Sequence, residues 1–440
     1  MTEPSPGDEG PKTPNPYGGR IFLTVLLLAL YLSGHTVGLP WLHLEKVSVA
    51  TPPMTLLALG MAPLIVGFLL VEIFSLITTP GRLLRAGGTA GRARLNRAAL
   101  VTSLIVSAVQ ALGIAFFLET FSSGIESIVD EPGWLFRFLL MATLTAVTAA
   151  VFLIGNVLSE YGIGNGFALL ILAQIGWSGW WNGAAVRAEL LEDLLPPAVG
   201  SFVMAGLIAL LVRFIRSTEA TWTPPFPQGI LPVQGTLAIL GVPWVLGLLG
   251  GRFQFGNFDL AFLVGTLVAI PLLSWLTFGL FSSRPRLEAD LPGTPEVVDR
   301  VEDILERRLN PSAALLALGT TALFAWNAWQ PHSWLTTSFT FLELIFIVII
   351  ALDLLDQYRF MRLHGRPARL VQLDNVHLSY LFAARLQEKG IDCLARAQRL
   401  RSLFFFFGAL IKIDVLIPTE QLGRAREVWA ELEANGPVIV

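Results

Sequence analysis

Residues 152–175 read FLIGNVLSEYGIGNGFALLILAQI, and the reading of this stretch decides the fold. It starts in an apolar run, leaves it at Gly155–Glu160, turns through Gly162-Ile163-Gly164-Asn165-Gly166 and enters a second apolar run. Glycine at every second position of the turn removes Cβ atoms where the backbone has to bend sharply and pack closely. Both flanks are membrane-spanning candidates, so the turn is expected at a membrane face.

Composition agrees. The chain of 440 residues is 54% hydrophobic and 14% charged, against about 25% charged in soluble domains. A net charge of −3 counts against nucleic acid as the main partner. Cys393 is the only cysteine, so no disulfide or cysteine metal site forms within one chain. His35, His43, His332, His364 and His377 show no metal-ligand spacing. There is no GxxxxGK[ST], HExxH or GxSxG. No catalytic residue, cofactor or metal is expected, so energy for any movement comes from a partner or a gradient.

Outward from the turn, ten spans are expected, near 21–41, 54–77, 98–118, 135–156, 166–182, 194–215, 233–250, 257–282, 312–330 and 335–358. The fifth and seventh are short or interrupted, as in segments that line something other than lipid. Residues 1–19 are polar and rich in Pro, Gly and Glu, and are expected to be a disordered cytoplasmic N-terminus. Arg82, Arg85, Arg92, Arg94 and Arg97 fill the connection between spans two and three. Arg284, Arg286, Arg300, Arg307 and Arg308 precede span nine, and Arg359, Arg362, Arg366 and Arg369 follow span ten. Connections 119–134 and 331–334 have no basic residue. The positive-inside rule therefore places both termini in the cytoplasm.

Residues 367–440 read differently. Strand patterns at 369–373, 391–397 and 411–417 alternate with helix stripes, Leu378–Leu386 and Leu422–Leu432. A cytoplasmic α+β domain, βαββα and ferredoxin-like, is expected. Phe404–Phe407 follow Arg396, Arg399 and Arg401. Two readings stand: an edge lying on the membrane surface, or a hairpin buried against the two helices.

The GIGNG turn between two spans resembles the SecY family of protein-conducting channels. Other stretches resemble it in order: GLPWL at the end of span one, Ala58-Leu59-Gly60-Met61-Ala62-Pro63 in span two, and Gly88–Arg97 before span three. Ile349-Ile350-Ala351-Leu352-Asp353 followed by LLDQ resembles the family's span ten. The resemblance covers 20–360. It implies an all-α polytopic membrane protein whose ten transmembrane helices form two inverted five-helix halves around an hourglass pore with a lateral gate. An apolar ring at its waist would come from Met61, Ile65, Ile171, Ile175 and Phe346, with a seventh-span member near Trp244–Leu246. Met61 and Ile65, like Ile171 and Ile175, sit at i, i+4 and so share a helix face. Periodicity alone is equally met by ordinary core or lipid-facing positions.

The resemblance also implies SecE-like and SecG-like small membrane subunits, unfolded polypeptide as substrate, and location in the bacterial inner membrane. Departures fall on the connections. About a dozen residues join Leu42 to Met54, too few for a pore-plugging helix. Ser217–Leu231, with TWTPPFPQG, is too short for a docking hairpin, which counts against SecA or a ribosome. After span eight, Pro295 at N1 with Val297, Val301, Ile304 and Leu305 forms a short helix with one apolar face. A divergent paralogue fits. Two alternatives remain, a non-conducting scaffold that acts through its tail and a secondary transporter with inverted repeats. Glu72 and Glu343 lie near span ends, where interfacial placement competes with function; Asp353 is placed to cap or salt-bridge on the cytoplasmic side.

Overall fold

A computed structural model describes residues 16–42, 54–86, 88–120, 122–123, 126–127, 129, 131–186, 195–219, 223–236, 258–282, 284, 287–288, 295–329, 340–365, 367–373, 375–405 and 410–434. Before the tail the helices with described bounds are α1 (Pro16–Ser33), α2 (Ala62–Ile77), α3 (Thr79–Ala86), α4 (Gly88–Thr120), α5 (Trp134–Tyr161), α6 (Gly166–Val186), α7 (Leu195–Glu219), α8 (Phe258–Phe281), α9 (Pro295–Trp329) and α10 (Phe341–His364). By length and composition three stretches can cross a membrane, Ala93–Glu119, Trp134–Tyr161 and Leu263–Leu280. Gly18–Ser33, Ala62–Ser75 and Gly166–Ser178 are apolar but shorter. The expected seventh span is described only as helix at 231–236; the rest of it, with Trp244–Leu246, lies outside the described residues.

Several boundaries differ from expectation. The first helix stops at Ser33, not near 41. Ser33 and Thr36 turn their hydroxyls onto the Leu30 and Ser33 carbonyls, and Gly38 then bridges to Thr55 and Leu42 to Val129. The second helix starts at Ala62, leaving Gly60 outside it at φ +49°, with Pro63 in its first turn where a missing N–H costs nothing. The fifth span runs on to Val186, past the expected 182. The short helix before span nine does not end. It continues through Pro311 as one helix of 35 residues. Its apolar stripe is Val298, Val301, Leu305 and Leu309, while Val297 is 37% exposed and off the stripe.

Helix contacts are close. Ser107 of α4 and Thr148 of α5 share a buried hydrogen bond of 2.8 Å, and Thr266 of α8 meets Thr321 of α9 at 2.9 Å. On the outer side of α4, Val101, Ile105 and Val109 stay exposed at i, i+4, i+8, a stripe suited to lipid. Glu343 is not a stray carboxylate. With Thr340 it forms a capping box at the start of α10, accepting from the Thr340 N–H at 2.6 Å.

In the tail, β3 (Pro367–Leu373), α11 (Val376–Glu388), β4 (Leu394–Arg396), α12 (Gln398–Leu403), β5 (Ile413–Pro418) and α13 (Leu422–Ala434) follow in order; β1 (Ser122–Ser123) and β2 (Glu126–Ser127) form a small hairpin earlier in the chain. β5 lies between β3 and β4, antiparallel to both, with Val371 opposite Val415 and Leu394 opposite Leu416. The β3–α11–β4 crossover thus brackets β5, a split βαβ arrangement. Helix α12 was not read from the sequence. The tail's apolar interior, Leu373, Phe382, Ile413, Val415 and Ile417, is continuous with Val298, Leu305 and Leu309 of α9.

Candidate functional site

The GIGNG turn is held from four directions. Gly162 ends α5, its N–H returning to the Leu158 carbonyl at 2.9 Å. Ile163 N–H donates to Thr24 Oγ1 of α1 at 3.0 Å, and Gly166 N–H to Ser159 Oγ of α5 at 2.9 Å. Gly164 takes φ +67°, a conformation open to glycine and strained for other residues. Asn165 caps α6, its Oδ1 accepting from Ala168 N–H at 3.1 Å. Its Nδ2 also donates to the Leu410 carbonyl of the tail at 3.2 Å. The turn is therefore a junction of α1, α5, α6 and the tail.

The ALGMAP turn is held by one side chain. Gln174 Oε1 accepts from Met61 N–H and from the Tyr31 hydroxyl, each at 3.3 Å. A Cβ on Gly60 would lie 2.5 Å from Gln174 Nε2, so a side chain there would push the Gln174 amide from its place, and the positive φ favours glycine in any case. Gln174 joins α1, α6 and the start of α2. Its amide in an otherwise apolar run was the signal to read.

The five expected ring residues share one apolar cluster. Met61, Ile175 and Phe346 are buried within it, and Ile65 and Ile171 pack against it. The same cluster holds Leu400, Leu403, Phe404, Leu410 and Ile411 of the tail. Phe404 meets Phe346 edge to face, ring centroids 5.1 Å apart. Phe404 is 3% exposed, so for this residue the membrane-surface reading gives way to burial, although against α10. Phe405 stacks on His377 of α11 at 6.2 Å, while Phe406 and Phe407 lie outside the described residues.

Polar contacts flank this apolar seam. Asp353 Oδ2 accepts from Ala397 N–H at 2.8 Å, and Asp356 pairs with Arg399 at 2.5 Å. Arg399 also stands 3.7 Å from Asp353. Ala397 sits at φ +63° as N-cap of α12, a costly conformation for a residue with a Cβ, and the Asp353 carboxylate holds its N–H there. Arg396 pairs with Asp414 within the sheet and reaches the Ser159 carbonyl at 3.4 Å. The TPPFPQG connection is not a surface loop. Thr223, Phe226, Gln228 and Ile230 are buried, with Gln228 accepting from Ser312 at 2.8 Å and Ile230 N–H donating to the Leu403 carbonyl at 3.2 Å. Sequence reasoning placed Asp353 correctly in kind. It missed Asp356, Arg399 and Phe404 as one seam, because their partners are far apart along the chain.

Apolar helices joined through glycine turns define the class, a polytopic helical membrane protein. Residues 55–221 match the SecY family model. The protein translocase subunit SecY of Rickettsia bellii is 28% identical over 178 residues, 40% of this chain and 41% of that protein. SecY of Aquifex aeolicus is 35% identical over 127 residues, 28% of this chain and 29% of that one. On these matches residues 55–221 are similar to the SecY family. The chain spans about two fifths of the length of the first curated relative. Among solved structures, a protein-conducting channel and Sec61 in the canine ribosome–channel complex each align over 80% of this chain and 95% of theirs. Both have a TM-score of 0.48, at 13% and 14% identity.

Proposed function

We propose that the chain is a protein-conducting channel subunit of SecY type, passing unfolded polypeptide across the bacterial inner membrane or laterally into it. The observation that carries this reading is the shared apolar cluster of Met61, Ile175 and Phe346, with Ile65 and Ile171 packed against it. Residues from three helices in one apolar cluster suit a collar that excludes ions by dewetting and yields around a passing chain. In this reading ten spans in two inverted halves surround the collar, both termini and the tail face the cytoplasm, and SecE-like and SecG-like subunits complete the complex. The buried TPPFPQG connection offers no hairpin to SecA or a ribosome.

A photo-crosslinker at Ile65 and Ile175, with Leu318 as a control that is 62% exposed on α9, tests the reading in cells. Adducts to secretory or membrane precursors at the two collar positions, absent at Leu318, are expected. Adducts only to the chain's own helices overturn conduction. A second reading, a non-conducting scaffold that acts through its tail, draws on the contact of the tail with the buried 223–230 connection, Ile230 N–H to the Leu403 carbonyl. That outcome of the crosslinking experiment supports it.

A further inference from the structure

We infer that residues 396–405, with Leu410 and Ile411, form a tethered seal seated in the mouth of this channel, which an entering polypeptide must displace. The inference rests on the channel reading and goes beyond it, because it assigns the mouth an occupant from the same chain.

Three observations carry it. The first is depth. Arg399 pairs with Asp356 near the end of α10, whereas Phe404 touches Phe346 further along the same helix. From Asp356 back to Phe346 is about 15 Å of helix, about half of the roughly 30 Å of a bilayer's hydrocarbon core. The segment therefore follows α10 down to a collar residue rather than resting on the surface.

The second is enclosure. The segment is held on separate sides by Ser159 at the end of α5, Asn165 in the turn before α6, Ile230 in the connection after α7, and Asp353 with Asp356 on α10. An element merely packed on one flank has no reason to touch all four. A stopper does.

The third is the kind of contact. Its backbone is bound largely by exchangeable polar groups: Asn165 to the Leu410 carbonyl, Asp353 to Ala397 N–H, and Ile230 N–H to the Leu403 carbonyl. Main-chain groups bound in this way, with apolar side chains in the collar, are what any unfolded polypeptide presents. The seat is also incompletely filled. A cavity of about 190 Å³, lined among others by Ile215, Asp353, Tyr380, Cys393, Gln398 and Arg399, lies along the seam. Partly polar space beside the ion pair loosens the seat relative to a packed core.

The test uses the full chain in liposomes, with two readouts. Efflux of a trapped small anion reports the seal. In a Cys393→Ala background, bridging of Ile230→Cys to Leu403→Cys by a short bis-maleimide reports whether the segment is seated. The expected result is that Arg399→Glu with Phe404→Asp abolishes bridging and raises efflux at least tenfold. Bridging the pair before the polar contacts are broken at high salt keeps efflux at the wild-type level. Arg399→Glu alone is also expected to raise efflux, and adding Asp356→Arg to restore the low level, which guards against general misfolding. Lost bridging with efflux unchanged overturns the seal, as does a segment that still bridges in the double variant. Precursor adducts at Ile65 and Ile175 separate the two ideas. With adducts present and efflux unchanged only the seal falls, and with adducts absent the channel falls too.

Discussion

Where α4 meets α5, one end of the bundle is closed by residues near each other in sequence. Glu119 accepts from Arg137 at 2.6 Å and from Gly133 N–H at 2.9 Å, and Arg137 lies over Phe116 and Trp134, 4.2 and 4.9 Å from their ring centroids. Beneath them Leu118, Val129, Phe136 and Leu140 form a small apolar cluster with Leu39. The tail end is closed by the opposite means. Asp353 and Ala397 are 44 positions apart, Asn165 and Leu410 are 245 apart, and an ion pair and a void interrupt the apolar seam. Closure made of neighbours reforms as soon as it opens. Closure made by a distant segment can open as a unit without disturbing the helices beneath, so local stability should differ between the ends.

Phe404→Ala should break the comparison most visibly. Truncating a buried phenylalanine costs about 3–5 kcal/mol, and the loss should stay at the tail end. Hydrogen exchange is expected to lose roughly a hundredfold or more of protection in α12 and β4, with 134–140 unchanged. Equal losses at both ends would mean that the bundle closes as one unit. Glu119→Gln is the mirror experiment. It leaves Arg137, 21% exposed, without its bidentate partner, and about 2 kcal/mol should be lost from thermal unfolding. Here α12 should keep its protection.

The ALGMAP turn sharpens the comparison at a smaller scale. Gly60→Ala combines a strained φ of about 1–2 kcal/mol with the approach to Gln174. Gln174→Ala alone removes two hydrogen bonds, each worth about 1 kcal/mol. Because both act at one contact, the double variant should lose less than the sum of the single variants in a thermal cycle. Additive losses would show that Gln174 does not press on residue 60.

The smallest effect is chemical. Burial, with help from Asp392, pushes the Cys393 thiol up to about 12, so it stays protonated through neutral pH. At pH 8 its alkylation should run roughly a thousandfold slower than an ordinary exposed thiol. Fast alkylation of the native chain would mean that the wall of the tail-side cavity is open.

These contrasts also mark what the sequence allowed. The spans on either side of Gly162–Gly166 were legible because apolar runs and glycine turns are local signals. Asn165 was recognisable as part of a turn; its bond to Leu410 was not, since nothing near either residue announces the other. The ring residues came from the resemblance, as every neighbouring position is also apolar. Tail strands were readable from alternation at Ile413, Val415 and Ile417. Helix α12 was missed because it lasts six residues and starts from a left-handed alanine held by a carboxylate 44 positions away. For Arg396 and Arg399 a membrane-surface edge and a buried hairpin both stayed open for the same reason, as their acidic partners stand elsewhere in the chain.

Helix α9 gives the molecule a lever. Its 35 residues extend about 52 Å. One arm, through Val298, Leu305 and Leu309, is fused into the tail's interior; the other is bonded to α8 through Thr321 and Thr266. Pro311 stands between the arms, where it removes a helical hydrogen bond and offers a fulcrum. The tail therefore does not move as a free body on a string. A pull on the tail is carried along the rod to its contact with α8.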